Sequence, residues 1–219
     1  DVKLSQLKID PEFQSKIPPL QFEEEQQLEQ NIIAEGRLLN PIITWNGYIL
    51  DGHTRYRILK KHGFIKFEVE EIQLANKYEA LAWICKNQLG RRNLSPERKK
   101  FLLGKEYEST KLAVGGQPGN CNKVNRCDQN DHIDSEKRTC ERIAVEHGVG
   151  SATVRHAEKY SRGIDAAEEA VPGAQEEILT GHIKATDEQI VALASIPKEE
   201  RPAILEELKK KKSDRDDTV

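Results

Sequence analysis

Apolar and polar positions follow different periods along this chain, and the changes of period mark its organisation. In residues 1–20 the apolar positions Leu4, Leu7, Ile9 and Ile17 are interrupted by Pro11, Pro18 and Pro19. The prolines predict an extended stretch without helix. From Phe22 to Ala34, Phe22, Leu28, Ile32 and Ile33 recur among Glu and Gln, which predicts a helix ended at Glu35-Gly36. Pro41–Trp45 and Tyr48–Leu50 flank Asn46-Gly47, the strongest short-range hairpin signal. Asp51-Gly52 opens a second helix with Tyr56, Ile58 and Leu59 on its apolar side, stopped at His62-Gly63. Phe67–Ile72 alternates like a half-buried strand, and a third helix covers Lys77–Asn87.

The pattern then becomes helical. Ser95-Pro96-Glu97 has the form of a helix start, with Ser95 as N-cap and Pro96 at the first helical position of a helix reaching Leu112. Residues 114–136 are rich in Gly, Asn and Asp and too poor in aliphatics to offset ordering entropy, so they read as a linker. Short helices are predicted at 137–147, 151–161, 164–171, 174–180, 187–195 and 198–211. The fold class is therefore α+β, a small mixed-sheet domain followed by an all-α domain. The expected divisions are 1–94, a basic connecting helix 95–113, the linker 114–136, an α-helical domain 137–211 and a tail 212–219.

A net charge of −3 argues by itself against a polyanion partner, but its distribution changes that. Lys86–Lys111 holds eight Lys/Arg against three Glu, and Lys137–Gly163 holds six against three. Two basic islands in an acidic chain fit local phosphate contacts. No run of about 18 apolar residues predicts a membrane span. The start Asp1-Val2-Lys3-Leu4 has no apolar leader, so the cytoplasm is the expected location.

The second island carries an informative spacing. Ala144 is the small residue that two steeply crossing helices need at their contact. Gly148, four positions later, tolerates the positive φ of a tight turn, and Val154 supplies an aliphatic anchor facing back. Ile143 and Val149 complete the expected core, and Ser151 is the expected N-cap. This is helix-turn-helix spacing, and the second helix would enter the DNA major groove with Ser151, Thr153, Arg155, His156 and Lys159 toward phosphates and base edges. The plain alternative is an ordinary helical hairpin.

In the first domain, Leu50-Asp51-Gly52-His53-Thr54-Arg55 joins a strand end to a helix start. Main-chain N–H groups there, the helix dipole and Arg55 make an anion site. Gly36 and Pro41 precede it, and Asn87-Gln88-Leu89-Gly90-Arg91-Arg92 follows the third helix. Together these segments resemble the ParB family, in the branch found on plasmids, phages and mobile elements. The resemblance implies a ParB/sulfiredoxin-type N-terminal domain followed by a helix-turn-helix. Gly52 and Arg55 match its Gly-x-x-Arg phosphate motif, Gly36 and Pro41 its first element, and Arg91 the arginine of its Glu-Asn-x-x-Arg segment. The implied nucleotide-binding residues are Gly36, Gly52, His53, Thr54, Arg55, Asn87, Arg91 and Arg92.

The implied ligand is CTP or another nucleoside triphosphate with Mg²⁺. Where the family carries Glu-Asn this chain has Asn87-Gln88, so the magnesium carboxylate is missing and hydrolysis as a weak CTPase or ATPase loses its strongest metal ligand. Sulfiredoxin places a catalytic Cys after the motif glycine; His53 stands there and cannot take that role. The implied partners are double-stranded DNA, a second copy as a homodimer, and the ATPase of a partition system; the implied roles are partition, replication control or transcription regulation. A nucleoside triphosphatase or nuclease at the same site is the enzymatic alternative. Cys121, Cys127, His132 and Cys140 have zinc-ligand chemistry, but their spacing matches no familiar zinc motif, so no metal site is expected.

Overall fold

The computed structural model describes every residue except 1, 2, 64, 92, 115–138 and 217–219, with side chains to residue 209. The expected linker therefore lies outside the described residues, as do Arg92, Cys121, Cys127 and His132. The chain divides into two compact units, Asp1–Gln88 and Leu89–Val219.

The first unit contains helix where the prolines predicted none. After a 3-10 turn at Leu4–Gln6, α1 spans Pro11–Ser15. Pro11 occupies the first helical position, where its missing N–H costs nothing, and the Asp10 carboxylate accepts from the N–H groups of Glu12 and Phe13. α2 (Phe22–Glu35) ends at Gly36, whose φ of 66° is the left-handed cap that glycine adopts cheaply. Strands β1 (Ile42–Trp45) and β2 (Tyr48–Asp51) form the expected hairpin, with Asn46 and Gly47 both at positive φ. α3 (His53–Lys61), β3 (Val69–Glu71) and α4 (Lys77–Leu89) follow.

The sheet order is β2-β1-β3, antiparallel between β1 and β2 and parallel between β1 and β3. Successive residues of a strand face opposite sides, and β2 uses this directly. Ile49 enters a cluster with Ile32, Ile42, Tyr56, Ile58 and Leu59, while Leu50 enters a second cluster with Phe13, Ala80, Leu81 and Ile84. The sheet is thus covered on both faces.

The second unit is helical: α5 (Pro96–Ala113), α6 (139–146), α7 (Ser151–Ala170), α8 (Ala174–Leu179), α9 (Asp187–Leu193) and α10 (Arg201–Asp216). The Ser95 hydroxyl caps α5 as expected, accepting from Arg98 N–H. α5 belongs to this unit rather than standing between two domains, and the first unit ends at Gln88 rather than at residue 94. The helices predicted at 151–161 and 164–171 are one continuous α7. Gly163, which lies between the two expected segments, is a contact point: a Cβ there would lie 2.0 Å from the Ile190 carbonyl oxygen on α9. Gly104 plays the same part where α5 crosses α7, with a Cβ 2.1 Å from the Ala157 carbonyl oxygen.

Candidate functional site

In the first unit, β2 passes into α3 through Gly52, whose φ is 98°. A side chain would be strained there by conformation and would crowd Arg55, since a Cβ would sit 3.2 Å from its Nε and Nη2. The guanidinium lies over the glycine. Its Nη1 donates to the carbonyl oxygens of Asn40 (3.0 Å) and Pro41 (2.9 Å), and its Nη2 to the Asp51 carboxylate at 2.6 Å. Gly52 and Arg55 therefore work as one part: the glycine makes room, and the arginine ties the 40–41 loop to the end of β2.

With Arg55 committed to protein acceptors, the donors left for a ligand are main-chain N–H groups. Gly52 provides no side-chain cap to α3. The first-turn N–H groups of His53, Thr54 and Arg55 have no acceptor within the helix, and the dipole favours an anion beside them. His53 is 7% exposed, and neither ring nitrogen has a hydrogen-bond partner among the described residues. Burial lowers its pKa to about 4, with the Asp51 charge opposing and Arg57 assisting, so the imidazole is neutral.

Of the other expected site residues, Gly36 acts as the cap of α2, Thr54 is half-buried and Asn87 is exposed. Arg91 is exposed and lies in the second unit. Gln88 was not among the expected contacts, yet it is fully buried and both polar atoms of its amide lack a hydrogen-bond partner among the described residues. The signal that marks it is periodicity. Leu81, Ile84 and Gln88 lie on one face of α4, so a polar side chain interrupts an apolar stripe.

In the second unit, α6 and α7 are joined by a tight turn in which Gly148 has φ 65°. Ile143 and Ala144 carbonyls accept from the N–H groups of His147 and Val149, closing the turn. The expected packing holds for Ile143, Ala144 and Val154, which are buried with Leu103, Tyr107, Cys140 and Ala157. Val149 is not in this core, being 36% exposed. The cap of α7 is Gly150, and Ser151 is already helical. Cys140 is spent on this core: its thiol is buried, donates to the Ser151 carbonyl at 3.1 Å, and has its pKa pushed up by burial. No cluster of His, Cys, Asp or Glu among the described residues is placed to hold a metal ion.

Thr153, Arg155, His156 and Lys159 share the exposed face of α7 with Ala152 and Arg162, while Ser151 is half-buried. Arg155 and Lys159 stand one turn apart, and among the described residues neither is paired with a carboxylate. Arg155 has only the Ser151 hydroxyl, at 3.4 Å. His156 Nδ1 lies 4.0 Å from Asp187, and Arg162 is held by Glu158 at 2.6 Å. Four cations of α5 are arranged differently, while Lys99 is exposed. Arg98 pairs with Glu176, Lys100 with Asp187, Lys105 with Asp165 and Glu108, and Lys111 with Glu158. These serve packing within the unit. Burial would lower the pKa of Lys105, but its two carboxylates outweigh that and raise it. The histidines at helix ends also have partners, His62 meeting Glu29 and His147 meeting the buried Glu106, each at 2.7 Å.

With a mixed sheet covered on both faces, followed in the sequence by a helical unit, the chain matches a Pnob8-like ParB-N domain over 94% of its own length and 95% of that chain. The sequence identity is 16% and the TM-score 0.51. The fold is ParB-N-like. The C-terminally truncated chromosome-partitioning protein ParB from Caulobacter crescentus, complexed to the centromeric parS site, matches over 94% of each chain at 16% identity. Its TM-score of 0.40 makes that a looser likeness from which nothing follows. No protein-family model and no curated protein matches the sequence. No helix among the described residues is long and apolar enough to cross a membrane.

Proposed function

We propose that this chain is a ParB-like DNA-binding protein of a plasmid, phage or integrated element, acting in partition, replication control or transcription regulation. The observation that carries the reading is the pair Arg155 and Lys159, exposed one turn apart on α7 with no carboxylate partner among the described residues. Elsewhere in the same unit Arg98, Lys100, Lys105 and Lys111 of α5 are held in ion pairs, whereas these two stand without a carboxylate on a helix that follows a tight turn. Double-stranded DNA is the ligand whose phosphates such a face suits. Titrating labelled duplex at rising salt tests this. Arg155→Ala with Lys159→Ala should weaken binding and flatten the slope of log affinity against log salt by about 1 for each cation removed. Absence of wild-type DNA binding at low salt sinks the reading.

A second reading concerns the first unit and is favoured by the uncapped start of α3 beside Gly52. The N–H groups there suit the phosphates of CTP or another nucleoside triphosphate. Arg55 supports this site by holding the 40–41 loop, so Arg55→Ala should lower nucleotide affinity through loss of the loop's position. Calorimetry with each of the four nucleoside triphosphates measures it, and phosphate release in the same samples separates a binding module from a triphosphatase.

A further inference from the structure

The exposed stripe of α7 runs through Ala152, Arg155, His156 and Lys159, the i, i+3, i+4, i+7 spacing of one helix face. His156 therefore stands beside the two cations that lack a carboxylate, and unlike them it has an acidic neighbour. Its Nδ1 lies 4.0 Å from Oδ2 of Asp187, in the first turn of α9, while 46% of its side chain is exposed. Among the described residues His156 makes no other ion pair or hydrogen bond. The same carboxylate oxygen is paired with the Lys100 ammonium of α5, which also lies 4.7 Å from the centre of the Tyr160 ring. Tyr160 is neutral, because burial, with Asp187 and Glu97 adding to it, pushes its hydroxyl up to about 12. The charges around the imidazole are thus Arg155 and Lys159 from α7, Asp187 and Glu188 from α9, and Lys100 and Glu97 from α5.

Arg155 and Lys159 repel a third positive charge beside them until an anion covers them. Duplex DNA supplies that anion. Its phosphates neutralise both cations and add a negative potential in which an imidazolium is favoured. The two ring nitrogens lie on opposite edges of the imidazole, so with Nδ1 toward Asp187 the Nε2 edge is turned away from that carboxylate. A neutral ring carries one N–H and can donate to only one acceptor, whereas an imidazolium donates to two.

We propose that DNA docking on this face draws a proton from solvent onto His156, whose imidazolium then faces Asp187 through Nδ1 and donates to a DNA phosphate through Nε2. This rests on the DNA-binding reading of α7. The proton passes from the buffer to the unprotonated ring nitrogen and returns when the DNA leaves. DNA affinity therefore rises as the pH falls.

The test is titration of labelled duplex with the full chain against salt, at about pH 8 and about pH 6, within the range where histidine ordinarily changes charge. His156→Gln is measured alongside, since it keeps a neutral donor but takes up no proton. Wild type should bind about tenfold tighter at the lower pH. Its slope of log affinity against log salt should steepen there by about 1, the mark of one added phosphate contact. His156→Gln should bind DNA with neither change. His53 and His147 are the same in both proteins, so their titration cancels in the comparison. Calorimetry in two buffers of different ionisation enthalpy should show proton uptake on binding in wild type and a smaller uptake in His156→Gln. A pH effect of equal size in the two proteins overturns the role of His156. Tighter binding at low pH without a steeper salt slope overturns the phosphate contact. Wild-type binding that ignores pH overturns the whole proposal, and each of these three results leaves the DNA reading standing. No binding at either pH in low salt overturns both.

Discussion

His53 shows how one residue carries both a stability term and a site. Its folded pKa of about 4 lies below the ordinary value of 6.5, so between those values the unfolded chain binds a proton that the folded chain does not. Stability from this group is complete above pH 6.5 and falls as the pH drops toward 4. Denaturant midpoints measured across that window should decline in wild type and decline less steeply in His53→Leu. Asp10 works in the opposite chemical sense toward the same result. Burial would raise its pKa, but Lys77 and the N–H groups of Glu12 and Phe13 outweigh that and lower it. Its contribution is present above the ordinary carboxylate range and is lost as the pH falls through the lowered value. Asp10→Ala should cost about 1 kcal/mol at neutral pH, the usual worth of a helix cap, read as a drop in denaturant midpoint.

At the scale of elements, two glycines decide how the helical unit packs. Replacing glycine by alanine inside a helix normally stabilises by about 1 kcal/mol. At Gly104 and Gly163 the added methyl would meet main-chain carbonyl oxygens at 2.1 and 2.0 Å, and backbone cannot step aside cheaply. Overpacking of this kind costs about 1–3 kcal/mol or more, so the sign reverses. Gly104→Ala and Gly163→Ala should each lower the melting temperature, whereas a higher one would show that the crossings of α5 and α9 with α7 are looser than described. The same crossing explains why α7 runs on unbroken. The cost of glycine in a helix is small beside the packing gained when a neighbouring helix can approach to backbone contact.

Across the whole molecule, sequence charge and usable charge are different quantities. The basic island at Lys86–Lys111 is the stronger in composition, yet Arg98, Lys100, Lys105 and Lys111 are all paired within their unit. Lys105→Ala should therefore destabilise on the order of 1–3 kcal/mol, by leaving its carboxylates without their partner, and leave the salt slope of DNA binding unchanged. A reduced slope in that variant would mean that α5 touches DNA after all. The hairpin at Asn46-Gly47, the caps at Ser95 and Gly36, the Gly52-to-Arg55 spacing and the turn at Gly148 were all legible in the sequence. Each is a local rule in which a residue type answers a backbone requirement within a few positions. Tertiary structure decided the rest. It turned Arg55 inward to the loop and Asp51, drew Cys140 into the core, and, among the described residues, buried Gln88 and His53 without hydrogen-bond partners and left Arg155 and Lys159 of α7 without carboxylates. Those outcomes depend on which surfaces meet across long separations in the chain. Burial and pairing are properties of such meetings, and no local spacing encodes them.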